Sequence, residues 1–397
     1  MSSERQLPPE ICDIILDHLH SDMESLSSCA LVCKAWVPTA RMHRFETLHI
    51  PRSGRGRSAL ALLCDSTSTI LPYIRHLSLQ EGGEGWRRND PLWLGDALPR
   101  MRLQELSSLH SLRIQSFAWP TLSPQARACL LSVLPRVRSL SLPVLEGECV
   151  FGVFEMISAA TSLHELSLLG MGVIDTPDSQ SLLAQFPTSP FSRTLTRLQV
   201  DAASIFLRFI NWVAPGLPVP EIDLQDFFSS TEATKFIASC GSRVKHLTLR
   251  FSDLGWANPE GIFIFYGGLS HNSSLITLDL GCEHASIIPI LHQLPSPHLS
   301  MSVVTLHMTP DTLLRFDSNL GALEDLFTSH FPAARLEIIG THDDVEPLLG
   351  LRDGLFARMR RLREEGRLGF KRSDGLSMDP DTPSVMDSLL EDQGTVH

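Results

Sequence analysis

Hydrophobic residues recur along most of the chain in a six-residue pattern whose first, fourth and sixth positions are apolar. The pattern occurs eleven times, and its central residues are Leu48, Leu77, Leu112, Leu140, Leu166, Leu198, Ile222, Leu247, Leu278, Leu306 and Leu336. Successive centres lie 24 to 35 residues apart. Such alternation predicts short β-strands with one buried face, and a period of about 20–50 residues is typical of repeat proteins.

The segments between the predicted strands carry helix-forming residues. The clearest helical segments are 125–134, 150–157, 179–186, 205–213 and 231–238. One strand and one helix per repeat predict an α/β fold. Each repeat of this kind buries its apolar face only by stacking on its neighbours.

This arrangement resembles the leucine-rich repeat. The resemblance implies a solenoid over residues 73–340, with short parallel strands on the concave face and helices on the convex face. The family usually carries Asn or Cys five residues after each central residue, but residues such as Gly82, Met171 and Asp311 stand there in this chain. The repeat lengths also vary by eleven residues. We therefore expect an irregular, flattened arc.

A different pattern occupies residues 7–36. It opens with Leu-Pro-Pro-Glu-Ile and closes with Cys-Ala-Leu-Val-Cys-Lys-Ala-Trp. Pro8 and Pro9 suit a helix N-terminus, Asp22 is placed to cap a second helix, and Pro38 is tolerable in the first turn of a third. The apolar face predicted for the first helix consists of Ile11, Ile14, Ile15 and Leu19. These signals predict a three-helix bundle.

The order of these residues resembles the F-box, and the run into Phe45-Glu-Thr-Leu48 is similar to the F-box proteins of mushroom-forming fungi. The resemblance implies a substrate-recognition subunit of an SCF-type cullin–RING ubiquitin ligase. Its F-box (7–50) would dock on the ligase adaptor and, through it, on a cullin, while the repeats bind a target protein.

The implied adaptor-binding positions are Leu7, Pro8, Glu10, Ile11, Ile15, Leu16, Leu19, Leu26, Cys29, Leu31, Val32, Cys33 and Trp36. Leu16 and Leu31 fall off the predicted internal stripes of their helices, which favours contact with the adaptor. For Trp36 two interpretations stay open: it contacts the adaptor, or it belongs to the core of the bundle.

The polar positions of the predicted strands are the candidate surface for the target protein, because alternate side chains of a strand share one face. The candidate target-binding residues are His76, Ser78, Arg113, Gln115, Glu165, Arg197, Gln199, Asp223, His246, Arg250, Asp279 and His307. For any one of them, a solvated position without a partner is the alternative.

The chain has 397 residues and a formal net charge of −12, which argues against a general nucleic-acid binder. Six acidic and no basic residues lie in 373–397, which is predicted to be a disordered tail. An N-terminal extension (1–6), a linker with the first helix of the repeat body (51–72) and a C-terminal capping helix region (341–372) complete the predicted organisation.

The sequence contains no P-loop, no G-x-S-x-G, no HExxH and no CxxC motif. It predicts a non-catalytic protein with no cofactor, no metal and no small-molecule substrate. Without a secretory signal or a long apolar run, it is expected in the cytoplasm, the nucleus or both, with no membrane partner. Two alternatives stay open: a repeat scaffold outside any ligase, and an enzyme whose site is assembled from distant residues.

Overall fold

The structure is a computed structural model. It describes residues 8–51, 54–81, 93–115, 119–143, 150–169, 194–201, 217–227, 230–251, 259–282, 284–341, 345–374 and 376–378. The chain forms two compact units, Met1–Leu195 and Thr196–His397. In both units, parallel strands alternate with helices, which confirms the predicted α/β class.

The first unit opens with three helices: α1 (Pro9–His18), α2 (Met23–Val32) and α3 (Val37–Phe45). Asp22 caps α2, because its carboxylate accepts the backbone N–H of Glu24 at 3.2 Å and that of Ser25 at 3.0 Å. These bonds lower the pKa of Asp22, with the side-chain hydroxyl of Ser25 as the largest cause. Pro38 lies in the first turn of α3, where no intrahelical N–H bond is lost. The predicted three-helix bundle and its cap are confirmed.

Five parallel strands follow in chain order. They are β1 (Thr47–Ile50), β2 (His76–Gln80), β3 (Ser111–Gln115), β4 (Ser139–Pro143) and β5 (Glu165–Leu169). The helices between or beside them are α4 (Gly54–Cys64), α5 (Leu94–Ala97), α6 (Pro124–Val133) and α7 (Val150–Ala159). Each central leucine of the sequence pattern lies beside the next in register and is buried.

Seven parallel strands in chain order build the second unit. They are β6 (Arg197–Asp201), β7 (Glu221–Phe227), β8 (His246–Phe251), β9 (Thr277–Gly281), β10 (Val303–Met308), β11 (Arg335–Gly340) and β12 (Leu368–Arg372). The first four helices of this unit are α8 (Ser230–Cys240), α9 (Pro259–Phe265), α10 (Ile287–Leu291) and α11 (Pro310–Phe316). The last three are α12 (Leu320–His330), α13 (Val345–Arg358) and α14 (Arg360–Glu364). The helices predicted at 179–186 and 205–213 lie outside the described residues.

Strand register corrects one repeat. Val304, and not Leu306, pairs with Leu278 on one side and Leu336 on the other. Met301 and Val304 therefore take the first and central positions, and the six-residue pattern was placed two residues too late. The six-residue pattern fits two placements in this strand, because Val304, Leu306 and Met308 are all apolar and buried.

The C-terminal region holds a strand that the sequence pattern missed. β12 pairs with β11, with Leu368 beside Leu336, within the segment predicted to contain only a capping helix. Beyond it, Ser377 forms an antiparallel bridge with Lys371, so the first residues of the predicted tail lie against β12. Residues 379–397 lie outside the described ranges. In the part of the chain that is described, no helix is long and apolar enough to cross a membrane.

The residue six before each central residue, here called the entry position, lies in the turn that leads into the strand. It is occupied by Gly241 before β8, by Asn272 before β9 and by His298 before β10. The side-chain amide of Asn272 donates to the Gly241 carbonyl at 2.8 Å, and Nε2 of His298 donates to the Asn272 carbonyl at 3.0 Å. Asn272 and His298 are buried. These three residues, the polar spine, thus link the entry turns of three successive repeats.

Candidate protein-interaction surfaces

The helical bundle has a small core of its own. Leu16, Leu26 and Ala40 are buried at its centre. The hydrophobic side chains packed around them are Leu19, Cys29, Ala30 and Trp36. Two polar contacts tie α3 to α1: the Thr39 hydroxyl donates to Asp13 at 2.7 Å, and Nε2 of His43 lies 2.7 Å from Oδ1 of Asp17. Both contacts fix which side of α1 faces the bundle.

The expected orientation of α1 is wrong. Leu16, which was expected to point toward an adaptor, is fully buried in the core together with Cys12. Ile11, Ile14 and Ile15, which form the predicted apolar face of the helix, are exposed, and Ile11 and Ile15 are also implied adaptor-binding positions. α1 carries two apolar stripes at helical spacing, and the spacing alone does not say which of them packs inside. The polar contacts of Asp13 and Asp17 with α3 select the stripe of Cys12 and Leu16.

The bundle therefore presents large apolar side chains to solvent. Ile14 is 52% exposed, and Leu31 and Val32 at the end of α2 are 88% and 64% exposed. The orientation expected for Leu31 is thus confirmed. Burying such side chains is favourable by about 25 cal/mol per Å² of apolar surface, so these positions are suited to contact with a partner.

The remaining positions of the implied adaptor-binding set have different environments. Pro8, Glu10 and Cys33 are exposed, and Leu26 belongs to the core. Trp36 packs against the core and keeps part of its surface exposed. Leu7 lies outside the described residues.

The outward positions of β1–β5 carry small hydroxyl groups and few charges. Strand register aligns His49, Ser78, Arg113, Ser141 and Ser167 in one row across the five strands, here called the donor row. Nδ1 of His49 lies 3.0 Å from the Ser78 hydroxyl. His76, Ser78, Arg113, Gln115 and Glu165 all lie on this polar face, as expected from the alternation.

Arg113 is the cation of the donor row. The amide oxygen of Gln115, in the orientation that satisfies both side chains, accepts from Nε of Arg113 at 3.0 Å and from a terminal guanidinium nitrogen at 3.2 Å. No carboxylate among the described residues forms an ion pair with Arg113. His49 and Ser141 were missed as candidates, because alignment in one row becomes visible only when the repeats are placed in register.

The outward positions of the second unit are charged and paired with one another. Arg197 on β6 lies 3.1 Å from Glu221 on β7. On β11 and β12, Nζ of Lys371 lies 2.7 Å from Glu337. His246 contacts the Thr277 hydroxyl at 2.8 Å. Gln199 lies on the same face and is part-buried.

A three-residue cluster lies on β8–β10. Nη2 of Arg250 lies 2.8 Å from Oδ1 of Asp279, and Nε2 of His307 lies 3.1 Å from the same oxygen. Nη2 of Arg250 also lies 2.6 Å from Nε2 of His307. Nε2 either donates to Asp279 or accepts from Arg250, since one ring nitrogen cannot do both. Gly281 lies between Arg250 and His307 in the register, and a Cβ there would meet Cδ of Arg250 at 2.8 Å. The glycine leaves the space that the guanidinium occupies.

Asp223 lies on the same face, on β7. Burial raises its pKa above the ordinary value of 3.8, and the opposing contributions of the Gln225 hydrogen bond and of Arg250 and Arg197 are smaller. Among the described residues, no group of three His, Cys, Asp or Glu side chains is placed to hold a metal ion.

Two solved structures resemble the chain at low similarity. The leucine-rich repeat-containing protein LegL7 from Legionella pneumophila is 15% identical, with a TM-score of 0.39, over 82% of this chain and 92% of that chain. The structure of the Rad7 and Elc1 complex in yeast gives 11% identity and a TM-score of 0.44, over 85% and 84%. No protein-family model matches the chain, and no curated protein matches it in sequence.

Proposed function

We propose that this protein is the substrate-recognition subunit of an SCF-type cullin–RING ubiquitin ligase. In this proposal the helical bundle α1–α3 docks on the ligase adaptor, which binds the cullin, and the polar faces of the repeat strands bind the target protein. The protein itself carries no catalytic residue. It contributes by holding the target near a ubiquitin-charged enzyme, which raises the effective concentration of the reacting groups. It would act in the cytoplasm, the nucleus or both.

The observation that carries the proposal is the unpartnered apolar surface of the bundle. Ile11, Ile14 and Ile15 on α1 and Leu31 and Val32 on α2 are exposed, and none of them belongs to the core cluster of the bundle. The residue order of this bundle resembles the F-box, whose helices dock on an adaptor. An exposed apolar surface on a bundle that already has a core is suited to that role.

Titration of the purified chain with the purified ligase adaptor, followed by calorimetry, tests the docking step. Leu31→Asp places a charge at the most exposed of these positions and should weaken binding roughly 30-fold, since central apolar anchors often contribute about 2 kcal/mol or more. Leu314→Asp is the matched control, because Leu314 is a 66% exposed leucine on α11, outside the bundle. It should leave adaptor binding unchanged.

Leu16→Ala is unsuitable for this test, because Leu16 belongs to the core and its loss would unfold the bundle. If the wild-type chain does not bind the adaptor at micromolar concentrations, the ligase proposal fails. A non-ligase interaction scaffold with a repeat body then becomes the better description.

A further inference from the structure

We propose that the polar face of the first unit binds an acidic segment of a partner protein, whose carboxylates contact the donor row. This inference rests on the proposed function only in calling that partner the target. The surface itself is independent of any contact with the adaptor.

The donor row is rich in groups that bind anions. Over β1–β4 the row consists of His49, Ser78, Arg113 and Ser141, which carry an imidazole, two hydroxyl groups and a guanidinium and no carboxylate. Adjacent strands lie about 4.8 Å apart, so this part of the row extends over roughly 14 Å. A guanidinium binds a carboxylate through two parallel N–H donors, and neighbouring hydroxyl groups add further donors.

Arg113 differs from the face arginines of the second unit. Arg197 pairs with Glu221 and Arg250 pairs with Asp279, so the charge of each is compensated within the protein. Arg113 is exposed, is held by the Gln115 amide and has no carboxylate partner among the described residues. An uncompensated guanidinium in a row of neutral donors is complementary to an anion from outside the chain.

The acidic groups on this face define where the anion would lie. The outward positions of β1–β4 contain no Asp or Glu. Glu165 on β5 belongs to the adjacent row, beside Ser139 and two strands from Arg113. We therefore place the acidic segment over β1–β4. In an extended segment, alternate side chains lie about 6.6–6.9 Å apart on one side, which favours carboxylates at every second position.

Short peptides with random flanks test the proposal. Three libraries carry Glu-x-Glu, Gln-x-Gln or phosphoserine-x-phosphoserine at their centre, and each is passed over the immobilised full chain. The Glu library should be retained over the Gln library. The best Glu peptide is then measured by fluorescence anisotropy, and raising the salt concentration should weaken its binding.

Arg113→Gln should reduce the affinity of that peptide about fivefold, as expected for one solvent-exposed charge pair. Arg197→Gln is the matched control, because Arg197 lies on a polar strand face but is paired with Glu221, and it should have no effect. Glu165→Gln should tighten binding by removing a repelling charge.

Equal retention of the Glu and Gln libraries, or unchanged affinity in Arg113→Gln, would overturn the proposal. Retention of the phosphoserine library alone would overturn it too, because the partner would then carry phosphate and not carboxylate. Adaptor binding, measured in parallel on Arg113→Gln, should equal that of the wild type. Peptide binding without adaptor binding would instead reject the ligase function and leave the acidic-segment surface in place.

Discussion

The entry positions of β2–β5 in the first unit are apolar and buried, whereas those of β8–β10 in the second unit form the polar spine. Those of β2–β5 are Leu71, Leu106, Leu134 and Ala160. The sheet faces differ in a parallel way. The face of the first unit carries hydroxyl groups and Arg113, which has no carboxylate partner among the described residues, whereas the face of the second carries arginines paired with carboxylates.

This difference separates two tasks that the same strand repeat performs. In the second unit, the side chains of Asn272 and His298 bond to carbonyls of neighbouring entry turns, and face arginines pair with carboxylates, so these groups contribute to the unit's own stability and order. In the first unit, apolar side chains hold the turns of β2–β5, and the polar face includes Arg113, which has no carboxylate partner among the described residues. A surface that binds a partner needs such available groups, since charges already paired within the protein must first be separated.

The largest effect is expected when a polar entry residue is placed in the first unit. Leu134→Asn removes a fully buried leucine and leaves an amide without the carbonyl that Asn272 finds in Gly241. The loss should be about 4 kcal/mol of unfolding free energy, measured by urea denaturation. Leu62→Asn, at a more exposed leucine of α4, is the control. A cost for Leu134→Asn as small as that of the control would show that the two kinds of entry turn are interchangeable.

The second prediction concerns the polar spine itself. Asn272→Ala removes the buried amide that donates to Gly241 and should cost about 2 kcal/mol, because that hydrogen bond is lost within the protein interior. Hydrogen exchange should show lost protection in β8–β10 and unchanged protection in β1–β5. Asn319→Ala is the control, since the Asn319 side chain makes no capping bond to α12. Uniform loss of protection in both units would contradict a spine confined to the second.

The sequence pattern predicted most of this fold, for a physical reason. Burial requires an apolar residue at each central position, so ten of the eleven central residues could be read directly, from Leu48 to Leu336. β12 escaped because Glu365 stands at the first position of its pattern, three residues before Leu368, where the other repeats carry an apolar residue. In β10 the central position was predicted at Leu306 and lies at Val304, because both residues are apolar and the pattern fits either.

The candidate surfaces were predicted less completely. Alternation along a strand is a local property, so the outward orientation of Arg113 and Asp279 followed from the sequence. Which stripe of α1 faces the core depends on α3, through His43 and Thr39, and no local pattern in α1 records this. Whether a face arginine is paired also depends on the register of separate repeats.

The third prediction sharpens the comparison at the charged face. Gly281→Ala introduces a Cβ against Cδ of Arg250 and should displace the guanidinium from Asp279 and His307. We expect a loss of about 1 kcal/mol in unfolding free energy. Gly350→Ala is the control, because a Cβ there meets nothing within 4 Å, and a helical alanine should stabilise by about 0.5–1 kcal/mol. If Gly281→Ala also stabilises, the cluster does not depend on the space that Gly281 leaves.

The smallest effect is expected at Asp223, where burial and ion pairing on the second unit's face act in opposite directions. Its raised pKa means that the folded state holds the proton more tightly than the unfolded chain does, so ionisation near neutral pH costs stability. Asp223→Asn should therefore stabilise the protein at neutral pH by less than about 1 kcal/mol, because the carboxylate is partly solvated. The difference should shrink as the pH falls through the raised pKa, and it should vanish below the ordinary value of 3.8.

Urea denaturation at several pH values measures this difference in unfolding free energy. Glu221→Gln, which breaks the pair with Arg197, is the comparison. Destabilisation by Asp223→Asn at neutral pH would mean that attraction to Arg250 and Arg197 exceeds the cost of burial, and that this carboxylate supports the face as the paired residues do.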